Sequence, residues 1–179
     1  MQKVIVLDFG GQYNQLIVRR VREAGVYCEI LPCDAAVDSW ADETLAGVIL
    51  TGGPQSVYDP HAKYCDPKVL QLGVPVLGIC YGQQWLAHQL GGNVGPMRAR
   101  EYGATQTTFV TTHPLFDGVD SPGVVWMNHN DGVTEMPQGM TCLAHTENCA
   151  VAAMGDDTRR IYAVQFHPEV AHTVNGSKI

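Results

Sequence analysis

The sequence has no apolar run approaching the roughly 20 residues that a membrane-spanning helix needs. Its apolar stretches are short, such as Val74–Cys80. It has no basic excess either. Lys and Arg number 11 against 18 Asp and Glu, a formal charge of −7, so there is no electrostatic footprint for nucleic acid or an anionic membrane surface. Charged residues are few, 16% against 45% apolar, the reverse of what keeps a chain disordered. There is no internal repeat, no low-complexity tract and no Ser/Gly/Pro-rich linker. The 179 residues therefore read as one domain with a core of its own, residues 1–179.

The cysteines lack metal-knot spacing. Cys28, Cys33, Cys65, Cys80, Cys142 and Cys149 contain no CxxC pair. The amino terminus, MQKVIVLDFGGQ, enters an apolar run at once and ends it in a charge, which predicts a strand and not a leader. A reducing, cytoplasmic setting with free thiols follows as the expectation. His61, His88, His113, His129, His145 and His172 show no H-E-x-x-H or other ligand spacing, so no metal is expected.

What is present is a first half that alternates strand and helix. Val4–Asp8, Tyr27–Leu31, Gly47–Leu50 and Val76–Ile79 are short apolar runs closed by glycine, proline or a charge. Tyr13, Leu16, Ile17, Val21 and Ala24 fall at helical spacing before Gly25, and a second helix is predicted over about Gly82–Leu90. The second half differs. Segments 105–110, 124–128, 141–146, 150–154 and 161–166 read as short strands, some antiparallel. The predicted fold is a three-layer α/β sandwich with a mostly parallel central sheet plus a smaller antiparallel portion. Sites in such sheets form at the carboxyl ends of strands. This directs attention to the loops Gly10–Asn14, Thr51–Tyr58, Cys80–Gln84, Asn128–Asp131 and His167–His172.

The strongest local signal is Val76-Leu77-Gly78-Ile79-Cys80-Tyr81-Gly82-Gln83-Gln84, a strand, G-x-C-x-G, then a helix. It is the cysteine form of the nucleophile elbow, with Gly78 and Gly82 admitting a tight turn. Cys80 would stand at a helix N-terminus, where the partial positive charge favours a thiolate. A base is offered by Gln165-Phe166-His167-Pro168-Glu169-Val170 at the end of the last predicted strand. Residues two apart in extended chain point the same way, so Glu169 can hold one nitrogen of His167 while the other faces Cys80. The N–H of Tyr81 and the loop Gly52-Gly53-Pro54 suit an oxyanion hole. Each signal alone has an ordinary structural reading: a buried thiol, a core histidine, a common turn. Their joint occurrence at strand ends is the pattern of cysteine-dependent acyl transfer.

LGICYGQQ (77–84) together with QFHPEV (165–170) resembles class I glutamine amidotransferases. The segments LDFGGQYNQLIVRRVRE (7–23), ILTGGPQSVYD (49–59), REYG (100–103), WMNHND (126–131) and HPEVAHTVNG (167–176) are similar to the glutaminase domains of GMP synthetases. The resemblance implies that Cys80 attacks the side-chain amide of L-glutamine, with His167 as proton shuttle and Glu169 orienting it. It also implies that Gly53 and Tyr81 supply the oxyanion hole, and that Gln84 with Asn128, His129, Asn130 and Asp131 holds the substrate. The implied partner is an ATP-pyrophosphatase synthetase domain or subunit that converts XMP to GMP. ATP and magnesium would belong to that partner, with no cofactor in this chain. The alternatives are a glutaminase of the anthranilate or aminodeoxychorismate type and a non-catalytic regulatory subunit of the same fold. Where the family often has glycine, this chain has Asn130; asparagine tolerates a left-handed backbone better than most residues, so the loop shape can survive the change. No SGGVDS-type pyrophosphate loop precedes Ile179, so the expectation is an excised or truncated domain or a separate small subunit.

Overall fold

In the computed structural model, which describes residues 2–179, the strands join into one nine-stranded mixed sheet. The elements in order are β1 (Lys3–Asp8), α1 (Asn14–Glu23), β2 (Cys28–Pro32), β3 (Leu45–Leu50), β4 (Val76–Ile79), α2 (Tyr81–Gln89), β5 (Asn93–Phe109), β6 (Gly123–Glu135), β7 (Thr141–His145), β8 (Ala153–Asp156) and β9 (Ile161–Val164). The spatial order is β2-β1-β3-β4-β9-β8-β7-β5-β6. Pairing is parallel from β2 to β9 and antiparallel from β9 to β6. Among the described residues no helix is long and apolar enough to cross a membrane.

β1 shows why the parallel strands are apolar throughout. Ile5 and Leu7 belong to one hydrophobic cluster and Val6 to another, because successive side chains point to opposite faces. α2 covers the first cluster with Trp85 and Leu86, and α1 covers the second with Ile17 and Val18. This gives the three layers. The buried face of α1 is Asn14, Ile17 and Val18, while Ala24, expected on that face, is exposed. Tyr13 stands just outside the helix as its N-cap residue.

The strands expected at 105–110 and 124–128 are parts of a much longer hairpin, β5 with β6. Its outer portion carries Gly95, Pro96, Arg98 and Arg100, so no apolar alternation announces it; cross-strand pairing holds it instead. Asn128–Asp131, expected as a loop, lies within β6. The strand expected at 150–154 begins only at Ala153, since the N–H of Ala152 turns back to the Ala144 carbonyl (2.8 Å).

The β4–α2 turn is packed to the limit. A methyl group on Gly78 would lie 2.6 Å from the Gly82 backbone, and one on Gly82 would collide with the Leu50 carbonyl. Replacing Gly78 or Gly82 with alanine should therefore cost about 3 kcal/mol or more, the upper range for overpacking. The control is Gly95→Ala, where the new methyl meets only Thr134 at 3.7 Å. Urea denaturation of the three variants checks this, with Gly95→Ala expected to stay near the parent.

Candidate active site

The carboxyl ends of β1, β3, β4 and β9 open into one cavity of about 370 Å³, lined among others by Asn14, Gly53, Cys80, Gln84, Asn128 and His167. Cys80 is the residue between β4 and α2 and has φ 56°. A non-glycine residue held left-handed is strained, and the glycine contacts on either side leave it no alternative path. Its N–H is bonded to the Val164 carbonyl on β9 (2.8 Å), which fastens the turn to the strand that delivers His167. Its Sγ lies 3.9 Å from the Asn128 carbonyl oxygen.

His167 is fixed from several sides. Its N–H donates to the Trp126 carbonyl (3.0 Å), and its own carbonyl accepts the Thr173 hydroxyl (2.6 Å). That same hydroxyl oxygen accepts the Trp126 N–H (3.0 Å). The Tyr13 ring meets the imidazole edge-on at 5.0 Å. Nδ1 pairs with Glu169 Oε1 (2.7 Å), and the backbone carbonyl of Glu169 accepts from Arg20 Nε (3.0 Å). The structure thus brings Cys80, His167 and Glu169 together as expected. Burial opposes charge on the ring, but the adjacent Cys80 sulfur and the hydrogen-bonded Glu169 carboxylate outweigh it. The ring's pKa rises from 6.5 to about 10.

The two oxyanion candidates face the same space. Neither the N–H of Gly53 nor that of Tyr81 is donated to another group of the described chain. A side chain at Gly53 would press on Phe9 and Tyr81 at 3.0–3.3 Å, so glycine is what lets this backbone approach. Gln84 is buried, with Nε2 donating to the Asp131 carbonyl (2.9 Å) and to Gln165 Oε1 (3.2 Å).

The segment Asn128–Asp131 corrects one expectation: it is strand and not loop. Asn130 has no positive φ, so its side chain costs the backbone nothing there. Asn130 is exposed, and its side-chain oxygen accepts from the Tyr102 hydroxyl (2.6 Å). A bulge accounts for the strand's local shape: between the pairs Pro96–Asp131 and Glu101–His129, Asn130 alone faces a longer stretch of β5. The carboxylate of Asp131 is occupied by the hydroxyls of Ser56 and Tyr58 (2.9 Å for Tyr58), which latch the β3 loop to β6. His129 is buried with both ring nitrogens engaged, Nδ1 on the Asp131 carbonyl (2.8 Å) and Nε2 on Glu101 (3.1 Å).

Several site residues were not singled out from the sequence. Tyr13 packs on His167, and Asp8 accepts hydrogen bonds from the Gly10 N–H (2.6 Å) and the Asn14 side chain, shaping the first loop. Ser56 and Tyr58 belong to the strand-end loop Thr51–Tyr58 without having been named in it, and Glu101 sits in REYG, whose signal was resemblance alone. Glu101, His129 and Cys149 bring potential ligand atoms within 4.8 Å of one another. Their carboxylate and ring are already engaged by each other, by Thr146 and by Asp131.

Residues 5–179 match the family model for glutamine amidotransferase class-I. The chain is 54% identical over 176 residues to a glutamine-hydrolysing GMP synthase of Caldicellulosiruptor saccharolyticus, covering 98% of this chain and 34% of the relative. It is 50% identical to the Clostridium perfringens protein of the same name, covering 98% and 35%. The chain thus spans about a third of the length of the curated relatives it matches. A solved structure from Thermoplasma acidophilum, provisionally assigned as one subunit of a GMP synthase, superposes with TM-score 0.86 at 33% identity over 99% of this chain and 89% of that one. A glutamine amidotransferase from Thermotoga maritima shares the fold, with TM-score 0.78 at 22% identity over 94% and 76%.

The His167 shift has a consequence for stability. A histidine whose folded pKa is raised contributes stabilisation that is complete below the ordinary value of 6.5 and is lost as pH rises through about 10. The stability advantage of the parent over His167→Gln should therefore narrow between those limits. Chemical denaturation across that pH range checks it; a gap independent of pH would contradict it.

Proposed function

Because the chain belongs to the class-I glutamine amidotransferase family, we propose that its cavity hydrolyses the side-chain amide of L-glutamine to glutamate and ammonia. The observation that carries this is a cysteine on a strained strand-end turn, beside a buried histidine that a carboxylate holds at 2.7 Å. The Cys80 sulfur forms a bond to the amide carbon, and the electron pair of the carbonyl moves onto its oxygen. The N–H groups of Gly53 and Tyr81 face that oxyanion. The carbonyl re-forms as the carbon–nitrogen bond breaks, and His167 gives its proton to the leaving nitrogen, which departs as ammonia. Water then adds to the γ-glutamyl thioester, His167 takes a proton from it, and the thiolate leaves with glutamate. Glu169 keeps Nδ1 protonated and the ring aligned throughout. Gln84 and the backbone of Asn128, His129, Asn130 and Asp131 hold the amino-acid end of the substrate.

We further assign the ammonia to an ATP-dependent synthetase that converts XMP to GMP. What supports this is similarity, across nearly the whole chain, to proteins named glutamine-hydrolysing GMP synthase that are about three times as long. ATP and magnesium are assigned to that ATP-pyrophosphatase domain or subunit, and this chain uses no cofactor of its own. The six free cysteines suit a reducing, cytosolic setting.

Replacing Cys80 with alanine should lower glutamate release by at least about a thousandfold, the scale seen when a nucleophile is removed. A diazo-ketone glutamine analogue should alkylate Cys80 and block turnover. Undiminished turnover in Cys80→Ala would remove this cysteine from the mechanism. Addition of a GMP-forming synthetase with XMP and ATP should accelerate glutamine hydrolysis, since such sites are completed by closure of a partner element. An unchanged rate of glutamate release would count against that partner.

A further inference from the structure

Glu101 and Thr146 have no part in the chemistry above, yet their hydrogen bonds run toward the glutamine cavity. Glu101 on β5 stands directly opposite His129 on β6, with only 4% and 2% of the two side chains exposed. Thr146 Oγ1 accepts the N–H groups of Asn148 (3.2 Å) and Cys149 (2.9 Å), so its single proton is committed to Glu101 Oε1 (2.6 Å). A backbone carbonyl can only accept, so the Asp131 carbonyl requires a hydrogen on His129 Nδ1. Nε2 and Glu101 Oε2 are then 3.1 Å apart, a contact that is attractive only with one proton between them. Imidazolium with carboxylate, or imidazole with carboxylic acid, satisfies this equally. Either way the ring is locked with Nδ1 as a donor.

The Asp131 carbonyl also accepts from Gln84 Nε2 (2.9 Å), whose other hydrogen goes to Gln165 Oε1 (3.2 Å). Both N–H groups of the Gln84 amide are committed, while its Oε1 has no partner in the described chain and is not fully buried, on a residue that lines the cavity. We propose that Glu101 is a positioning residue for glutamine recognition: through His129 it fixes the Asp131 carbonyl, and so keeps the Gln84 oxygen presented to the α-ammonium group of the substrate. The proposal rests on the glutaminase reading. With the carbonyl released, the Gln84 amide is free to turn and offer N–H donors to a cation, which repels it.

Glu101→Ala should raise KM for glutamine by about 10-fold or more, the scale of one hydrogen bond to a charged group, with kcat held within about 3-fold. Iodoacetamide, which has no α-ammonium group, should alkylate Cys80 in this variant at the parent rate. Glu101→Gln should restore KM, because its oxygen can accept from Thr146 and its nitrogen can donate to Nε2. An unchanged KM in Glu101→Ala would overturn the proposal, as would a joint loss of kcat and alkylation. Nitrogen-15 NMR of the unaltered protein gives a second decision independent of any variant: His129 should carry its hydrogen on Nδ1, and a bare Nδ1 would overturn the proposal. Glutamine turnover that survives Cys80→Ala would refute the catalytic reading alone, since the NMR result still decides the His129 geometry.

Discussion

The close contact of α2 with the edge of β3 and β4 sets the geometry on which the site depends. Gly78 and Gly82 let the helix begin directly on top of the strand it leaves, and no side chain fits at either place. The turn between them has room for one conformation, with Cys80 at φ 56° and its N–H on the Val164 carbonyl. Strain at one residue is thereby supported by the packing of the helix layer on the sheet, and the sulfur is aimed at the mouth of the sheet. Because the anchoring carbonyl belongs to β9, the strand that leads to His167 is placed relative to the sulfur by the same contact.

The second half of the chemistry is electrostatic. His167 is almost fully buried, which by itself would keep its ring neutral. Two neighbours, the Cys80 sulfur and the Glu169 carboxylate, reverse that preference. A buried ring able to hold a proton can give it to a leaving nitrogen without first drawing it from water. The neighbouring Glu101–His129 pair uses the same ingredients differently: both of its members have every hydrogen-bonding atom of their side chains engaged within the described chain.

The parallel strands and the trio Cys80, His167 and Glu169 were legible because their signals are local. A short apolar run marks a strand buried on both faces, a G-x-C-x-G turn marks an elbow, and two residues of extended chain put Glu169 beside His167. The β5–β6 hairpin was not legible. The outer part of β5 is largely exposed and broken by Gly95, Pro96, Arg98 and Arg100, and four polar residues in a row at Asn128–Asp131 look like a turn until their partner strand is known. Glu101 and Thr146 were hidden for a related reason. Which residue faces His129 depends on a bulge, and a bulge shifts register without leaving a periodic trace. The latch of Ser56 and Tyr58 on Asp131 likewise joins residues that only the sheet order brings together.

Thr173 clamps the His167 carbonyl and the Trp126 N–H with one hydroxyl, far along the chain from the nucleophile it serves. A ribosome therefore delivers the sulfur early and the brace for its base late. A nascent chain has neither the Val164 carbonyl that fastens the elbow nor the hydroxyl that clamps the base, so the trio is assembled only when nearly all of these residues have emerged and the sheet has closed around them.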